Sequence, residues 1–216
     1  MRDTKVLFAH ADRDDASALL GALADTPSYM ARNETGETIF LHCVYRGSAT
    51  CVEALHARGD LTLHEAAAAG DVERINVLVE HAPWTIQALS ADGWTALHLA
   101  AYIGRDQAVI RLLELGADAG QWAHAFETNL AIHAACAGCR LGKTALAKLV
   151  AATGAPDITP KHGYTPLMEA AANGYVDAVD VLLAAGADVS RKHPNGKTAA
   201  EFAREKGHRE LIERLS

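Results

Sequence analysis

Apolar residues along this chain fall in paired short stripes rather than in long runs or strict alternation. In residues 92–118, DGWTALHLAAYIGRDQAVIRLLELGAD, Leu97, Ala100 and Ala101 share one side of a short helix. Val109, Leu112 and Leu113 form the apolar stripe of a second helix. Asp92 and Gly93 supply the turn before the pair, Thr95 caps the first helix, and Gly104 and Gly116 end the two helices. The pattern predicts a turn followed by two antiparallel helices. Alanines at the inner positions of the first helix leave it a flat, thin face, and one pair holds too few large apolar side chains to bury them alone. Such pairs must stack.

Imperfect copies of this stretch recur. Gly36, Thr38, Gly47, Val52, Leu55 and Gly59 each stand 57 residues before Gly93, Thr95, Gly104, Val109, Leu112 and Gly116. Gly163, Thr165, Gly174, Val179, Leu182 and Gly186 stand 70 residues after the same six, and Gly196, Thr198, Gly207, Ile212 and Leu215 follow at the next interval. With TALHLAAYIG, YTPLMEAAANG and GADVS, the chain resembles the ankyrin-repeat family over essentially its whole length. That resemblance implies an all-α ankyrin-repeat solenoid of about seven stacked helix-turn-helix units with short β-hairpin-like fingers. The expected divisions are an N-terminal cap unit at 1–34, repeats at 35–60, 61–91, 92–125, 126–160 and 161–193, and a C-terminal cap unit at 194–216.

The units differ in ways that carry expectations. In the first, Val6, Leu7, Phe8 and Ala11 fit one helix and Leu19, Leu20 and Leu23 another. Too little chain remains between Gly59 and Leu63 for a finger, so a tight connection and a notch in the finger row are expected there. The fifth unit carries about three extra residues, placed most simply in GCRLGKT between its helices. The last should turn Phe202, Ala203, Ile212 and Leu215 inward and close the stack with a charged outer face.

A formal net charge of −7 gives no electrostatic reason to bind nucleic acid or an anionic membrane, and no apolar run approaches the roughly 20 residues of a membrane span. Cys43, Cys51, Cys136 and Cys139 lie within helical patterns, which fits reduced thiols in a cytoplasmic protein. No cofactor is expected, and the chain reads as a monomer.

Two motifs could carry chemistry. Residues 137–144, AGCRLGKT, fit a loose phosphate-loop pattern, but that chemistry needs a preceding strand and here the loop follows a helix. His133, Cys136 and Cys139 have zinc-like spacing without an evident fourth ligand. A nucleotide- or metal-binding enzyme centred on residues 133–144 is therefore the alternative reading. His64, His98 and His133 share one repeat position. The resemblance implies that their imidazoles bond backbone across the turn and tie adjacent units, a ladder interrupted at Leu41, Met168 and Glu201.

The resemblance also implies a non-catalytic scaffold that holds a partner protein on its concave face and finger tips. At matched positions these are Glu37, Tyr45 and Arg46; Ala68 and Ala69; Trp94, Tyr102 and Ile103; Tyr164, Ala172 and Asn173; and Lys197, Glu205 and Lys206. Trp94, Tyr102, Ile103 and Tyr164, with Trp122 and Phe126 on a long finger, would form one aromatic region over the middle units, the expected interface anchor.

Overall fold

Local capping fixes where the helices begin and end. Thr95 Oγ1 accepts from the His98 amide at 3.3 Å, and the chain leaves the helix through Gly104 at φ +81°, a conformation that glycine adopts without a Cβ penalty. The computed structural model describes residues 4–24, 26–124 and 129–216. Among these residues fourteen α-helices run as consecutive pairs: α1 (Thr4–Asp12) with α2 (Ala16–Leu23), α3 (Ile39–Arg46) with α4 (Ala49–Ala57), and α5 (Leu63–Ala69) with α6 (Val72–His81). They continue as α7 (Ala96–Ile103) with α8 (Asp106–Glu114), α9 (Ala131–Gly138) with α10 (Lys143–Thr153), α11 (Pro166–Asn173) with α12 (Val176–Ala184), and α13 (Ala199–Lys206) with α14 (Arg209–Arg214). None is long and apolar enough to cross a membrane.

The first helices α5, α7, α9, α11 and α13 pack in one row, and α6, α8, α10 and α12 in a second. Alanines make the first row possible: Ala66, Ala67, Ala100, Ala101, Ala134, Ala135, Ala170 and Ala171 are all fully buried. Leu112, Leu149 and Leu182 fill the second row. The fingers are bonded turns: Ser90 N–H donates to Trp94 O at 2.8 Å and His193 N–H to Lys197 O at 2.9 Å. Among the described residues the one bridge of strand type is Arg32 with Thr38. Residues 58–62 form no finger. Asp60 instead accepts from the Ser28 amide and hydroxyl at 2.8 and 3.0 Å, while Arg58 donates to the carbonyls of Ala24 and Thr26.

Three details depart from expectation. Val6 faces solvent at 48% exposure, because Leu7, Phe8 and Ala11 already complete the inner stripe of α1. In α14 it is Leu211, one residue earlier than Ile212, that is fully covered. The extra residues of the fifth unit are divided: the loop 139–142 replaces 104–105, and α10 is longer than α8. Cys139 there takes the left-handed C-cap position at φ 53° that glycine holds in neighbouring units.

Buried imidazoles stitch successive units. The Nε2–H groups of His64, His98 and His133 donate to the carbonyls of Ala88, Asn129 and Ile158 at 2.9, 3.1 and 3.1 Å. A carbonyl can only accept, so Nδ1 is left to accept, from Thr95 Oγ1 in His98 and from the Leu130 amide in His133. Leu41 cannot make this bond, and Thr38 donates instead to Glu65 Oε1 at 2.6 Å, crossing to the next unit. Met168 and Glu201 keep only the local half, accepting from the amides of Thr165 and Thr198.

The buried side chains form two clusters. One gathers α1 to α4 and extends to Ala68, Leu99 and Ile103; the other runs from Leu63 and Ile75 to Leu215. Leu112→Ala, in the second cluster, should cost roughly 2–5 kcal/mol and separate chemical unfolding into two transitions; one sharp transition at the wild-type midpoint would contradict the stacking account. Burial holds the imidazoles of His98 and His133 down at about 4, against an ordinary 6.5. The unfolded chain therefore takes up protons before the folded one. Stability is complete above pH 6.5 and declines as pH falls toward 4, by on the order of 3 kcal/mol per histidine over the whole interval. The urea midpoint should drop between pH 7 and pH 5, and drop less in His98→Leu.

Candidate functional site

Unit three is the thinnest part of the first-helix row. Its α5 has 7 residues where α7 has 8, it ends in Ala66–Ala69, and no finger stands before it. Ala68 occupies the repeat position of Tyr45 and Tyr102, so a methyl group lies where its neighbours place rings. In the fifth unit Ala137 occupies the same position and Gly138 follows it. A Cβ on Gly138 would lie 1.9 Å from the Tyr102 carbonyl oxygen, so α9 meets α7 backbone to backbone.

Ala137 and Gly138 help to line a cleft of about 510 Å³. Val44 and Tyr45 at the end of α3, Tyr102 and Ile103 at the end of α7, and Ala137 and Gly138 at the end of α9 line it. Asp92 and Trp94 enter from the finger before α7, and Arg140 from the loop after α9. The Trp94 and Tyr102 ring centroids are 5.9 Å apart, and Trp94 also meets His98 edge-on at 5.7 Å. Trp94 thus rests on the imidazole ladder. Tyr45 and Tyr102 are 40% and 38% exposed. The Tyr45 phenol is nevertheless pushed above its usual range, first by desolvation in the cleft and then by Asp92 and Glu37.

The other expected binding residues are scattered. Ile103 is buried with Leu99 and Ala68 and forms floor rather than projecting. Arg46 is exposed and lies 3.5 Å from Asp12 Oδ1. Trp122 packs half-buried on the larger cluster, Phe126 lies outside the described residues, and Asn173 reaches the Cys136 carbonyl at 3.5 Å. Tyr164 turns toward the C-terminal cap, its ring 4.4 Å from His193 and 5.1 Å from Phe202. The single aromatic region expected over the middle units is therefore two, because Tyr164 finds partners on the following unit. Sequence reasoning missed Asp92, Gly138 and Arg140; the signal available was the small residues Ala68 and Ala137 flanking Tyr102 on both sides.

The two chemical motifs are occupied by structural bonds. Loop 139–142 follows helix α9, the Gly142 amide donates to Asp106 Oδ1 at 2.8 Å, and Lys143 Nζ lies 3.1 and 3.4 Å from Asp177 and Asp180. Both His133 nitrogens are bonded, and Cys139 Sγ donates to the Cys136 carbonyl at 3.0 Å. Burial raises both thiols, Cys136 far above its ordinary value. Among the described residues no group of three His, Cys, Asp or Glu is placed to hold a metal ion.

Comparison with known proteins agrees with the stacked pairs. The family described as ankyrin repeats (3 copies) matches residues 42–123 and 121–193. The chain belongs to the ankyrin-repeat family, whose arrays are protein-interaction domains. It is 32% identical over 81 residues to the Notch-regulated ankyrin repeat-containing protein of Xenopus laevis, covering 36% of this chain and 70% of that one. It is 40% identical over 77 residues to the ankyrin repeat and KH domain-containing protein mask-1 of Caenorhabditis elegans, 34% of this chain and 3% of the relative. With the ARF GTPase-activating protein GIT2 of Rattus norvegicus it shares 43% identity over 56 residues, 26% of this chain and 7% of the relative. The chain thus spans only a small part of the last two.

Gly138→Ala should force α9 off α7. The expected cost is roughly 1–3 kcal/mol by overpacking, read as a lowered denaturation midpoint together with a changed Trp94 environment.

Proposed function

We propose that this chain is a non-catalytic scaffold that seats a segment of a partner protein in the cleft between Tyr45 and Tyr102, with neighbouring finger tips completing the contact. The carrying observation is that exposed rings from units two and four and the indole of Trp94 converge on one cleft that the small residues Ala137 and Gly138 of unit five help to line. Aromatic side chains in pockets are common interface anchors, and a preformed rigid array loses little conformational entropy on binding. The alternative, a nucleotide- or metal-dependent enzyme centred on residues 133–144, is disfavoured because the amide and ammonium it would need already serve Asp106, Asp177 and Asp180. The four cysteines are free thiols and fit a reducing, cytoplasmic setting, with the chain acting as a monomer.

Affinity capture with the wild-type chain, Tyr102→Ala and Trp94→Ala tests this. Both variants should keep wild-type helical circular dichroism and recover at least tenfold less of the partner, as hot-spot truncations do; equal recovery would place the interface elsewhere. A thermal-shift series with ATP, GTP and zinc should leave stability unchanged, whereas a ligand at 100 times its dissociation constant adds about 2.7 kcal/mol.

A further inference from the structure

We infer that the cleft is a receptor for a basic side chain, lysine or arginine, presented by the partner segment; this rests on the cleft being the partner site proposed above. Three independent features favour positive charge there. Helices α3, α7 and α9 all direct their C-terminal ends at the cleft, through Tyr45, Tyr102 and Gly138. Each brings the partial negative charge of its last carbonyls. Aromatic rings at Tyr45, Trp94 and Tyr102 offer the electron-rich faces that attract cations. Asp92 supplies a carboxylate at the rim, held in place by the Ser90 hydroxyl, and with Glu37 it makes the surroundings of the Tyr45 hydroxyl negative.

Among the described residues, Arg140 is the one basic group lining the cleft. Its backbone and Cβ lie against Gly104, where α7 ends. Asp92, whose charge acts on the Tyr45 hydroxyl, marks the part of the cleft where the incoming cation would sit. A lysine or arginine seated there would pass its aliphatic stem between the rings and place its charged head beside Asp92.

The test uses the full chain labelled with nitrogen-15 and four small probes: N-acetyl-lysine amide, N-acetyl-arginine amide, N-acetyl-norleucine amide and N-acetyl-glutamate amide. The indole resonance of Trp94, assigned with Trp94→Phe, should move saturably with the two basic probes and not with the other two, while those of Trp84 and Trp122 stay fixed. Asp92→Asn preserves an oxygen for the Ser90 hydroxyl and should weaken the basic probes roughly threefold to fivefold, the upper range for a part-exposed ion pair. Tyr102→Leu should weaken them by a similar factor or more. Equal response to norleucine, preference for glutamate, uniform movement of all three indoles, or an unchanged Asp92→Asn would overturn the inference. Failure here separates from failure of the scaffold reading. If Tyr102→Ala loses the partner while the basic probes do not bind, only the cation assignment falls; if the basic probes bind while Tyr102→Ala retains the partner, the cleft is not the partner's seat.

Discussion

Close approach of backbones is the constraint on which this molecule depends. A helix pair of some twenty residues cannot offset its conformational entropy with a handful of leucines, since fixing each residue costs about 1–2 kcal/mol. It succeeds only by sharing each apolar face with the next pair. Alanine at Ala66, Ala67, Ala100, Ala101, Ala134, Ala135, Ala170 and Ala171 brings the first helices close enough for that sharing. Everything else, from the leucine row behind to the imidazole bonds beside the fingers, assumes this spacing. In the last described pair Arg204, Glu205 and Lys206 face outward.

The same economy of side chains shapes the cleft. Where Ala137 and Gly138 stand beside Tyr102, stacking continues underneath while the surface above is left hollow. Packing fixes the inner turns of each first helix, whereas the outermost turn varies in size, from Tyr45 and Tyr102 to Ala68 and Ala137, with Gly138 held small by its contact with α7.

Much of the fold was legible in the sequence because it is written in glycine and threonine positions that repeat. Thr95 with Gly104 marks a helix as plainly as Thr165 with Gly174, and both are helices here. The tight link at 58–62 followed from chain length alone. What was not legible depends on which of several equivalent residues finds a partner. Cys139 adopts a glycine conformation that its chemistry does not announce, and in α14 Leu211 rather than Ile212 is fully covered. Tyr164 sits at the repeat position of Trp94 yet stacks on Phe202, a residue of the next unit that its own repeat does not specify. In unit three the register drawn through His64 and Gly70 hid Thr62 and Glu65, whose spacing is that of a capping box and whose carboxylate reaches back to Thr38.

The seam between the two buried clusters runs through unit three, directly beneath the cleft. Tyr45 belongs to the pairs before that seam, whereas Gly138 and Arg140 belong to those after it. A guest lodged between them would touch both halves at once and bridge the seam. Occupancy and mechanical integrity are thereby linked: whatever fills the hollow resists the parting of the two halves, and whatever loosens the joint lets the guest go.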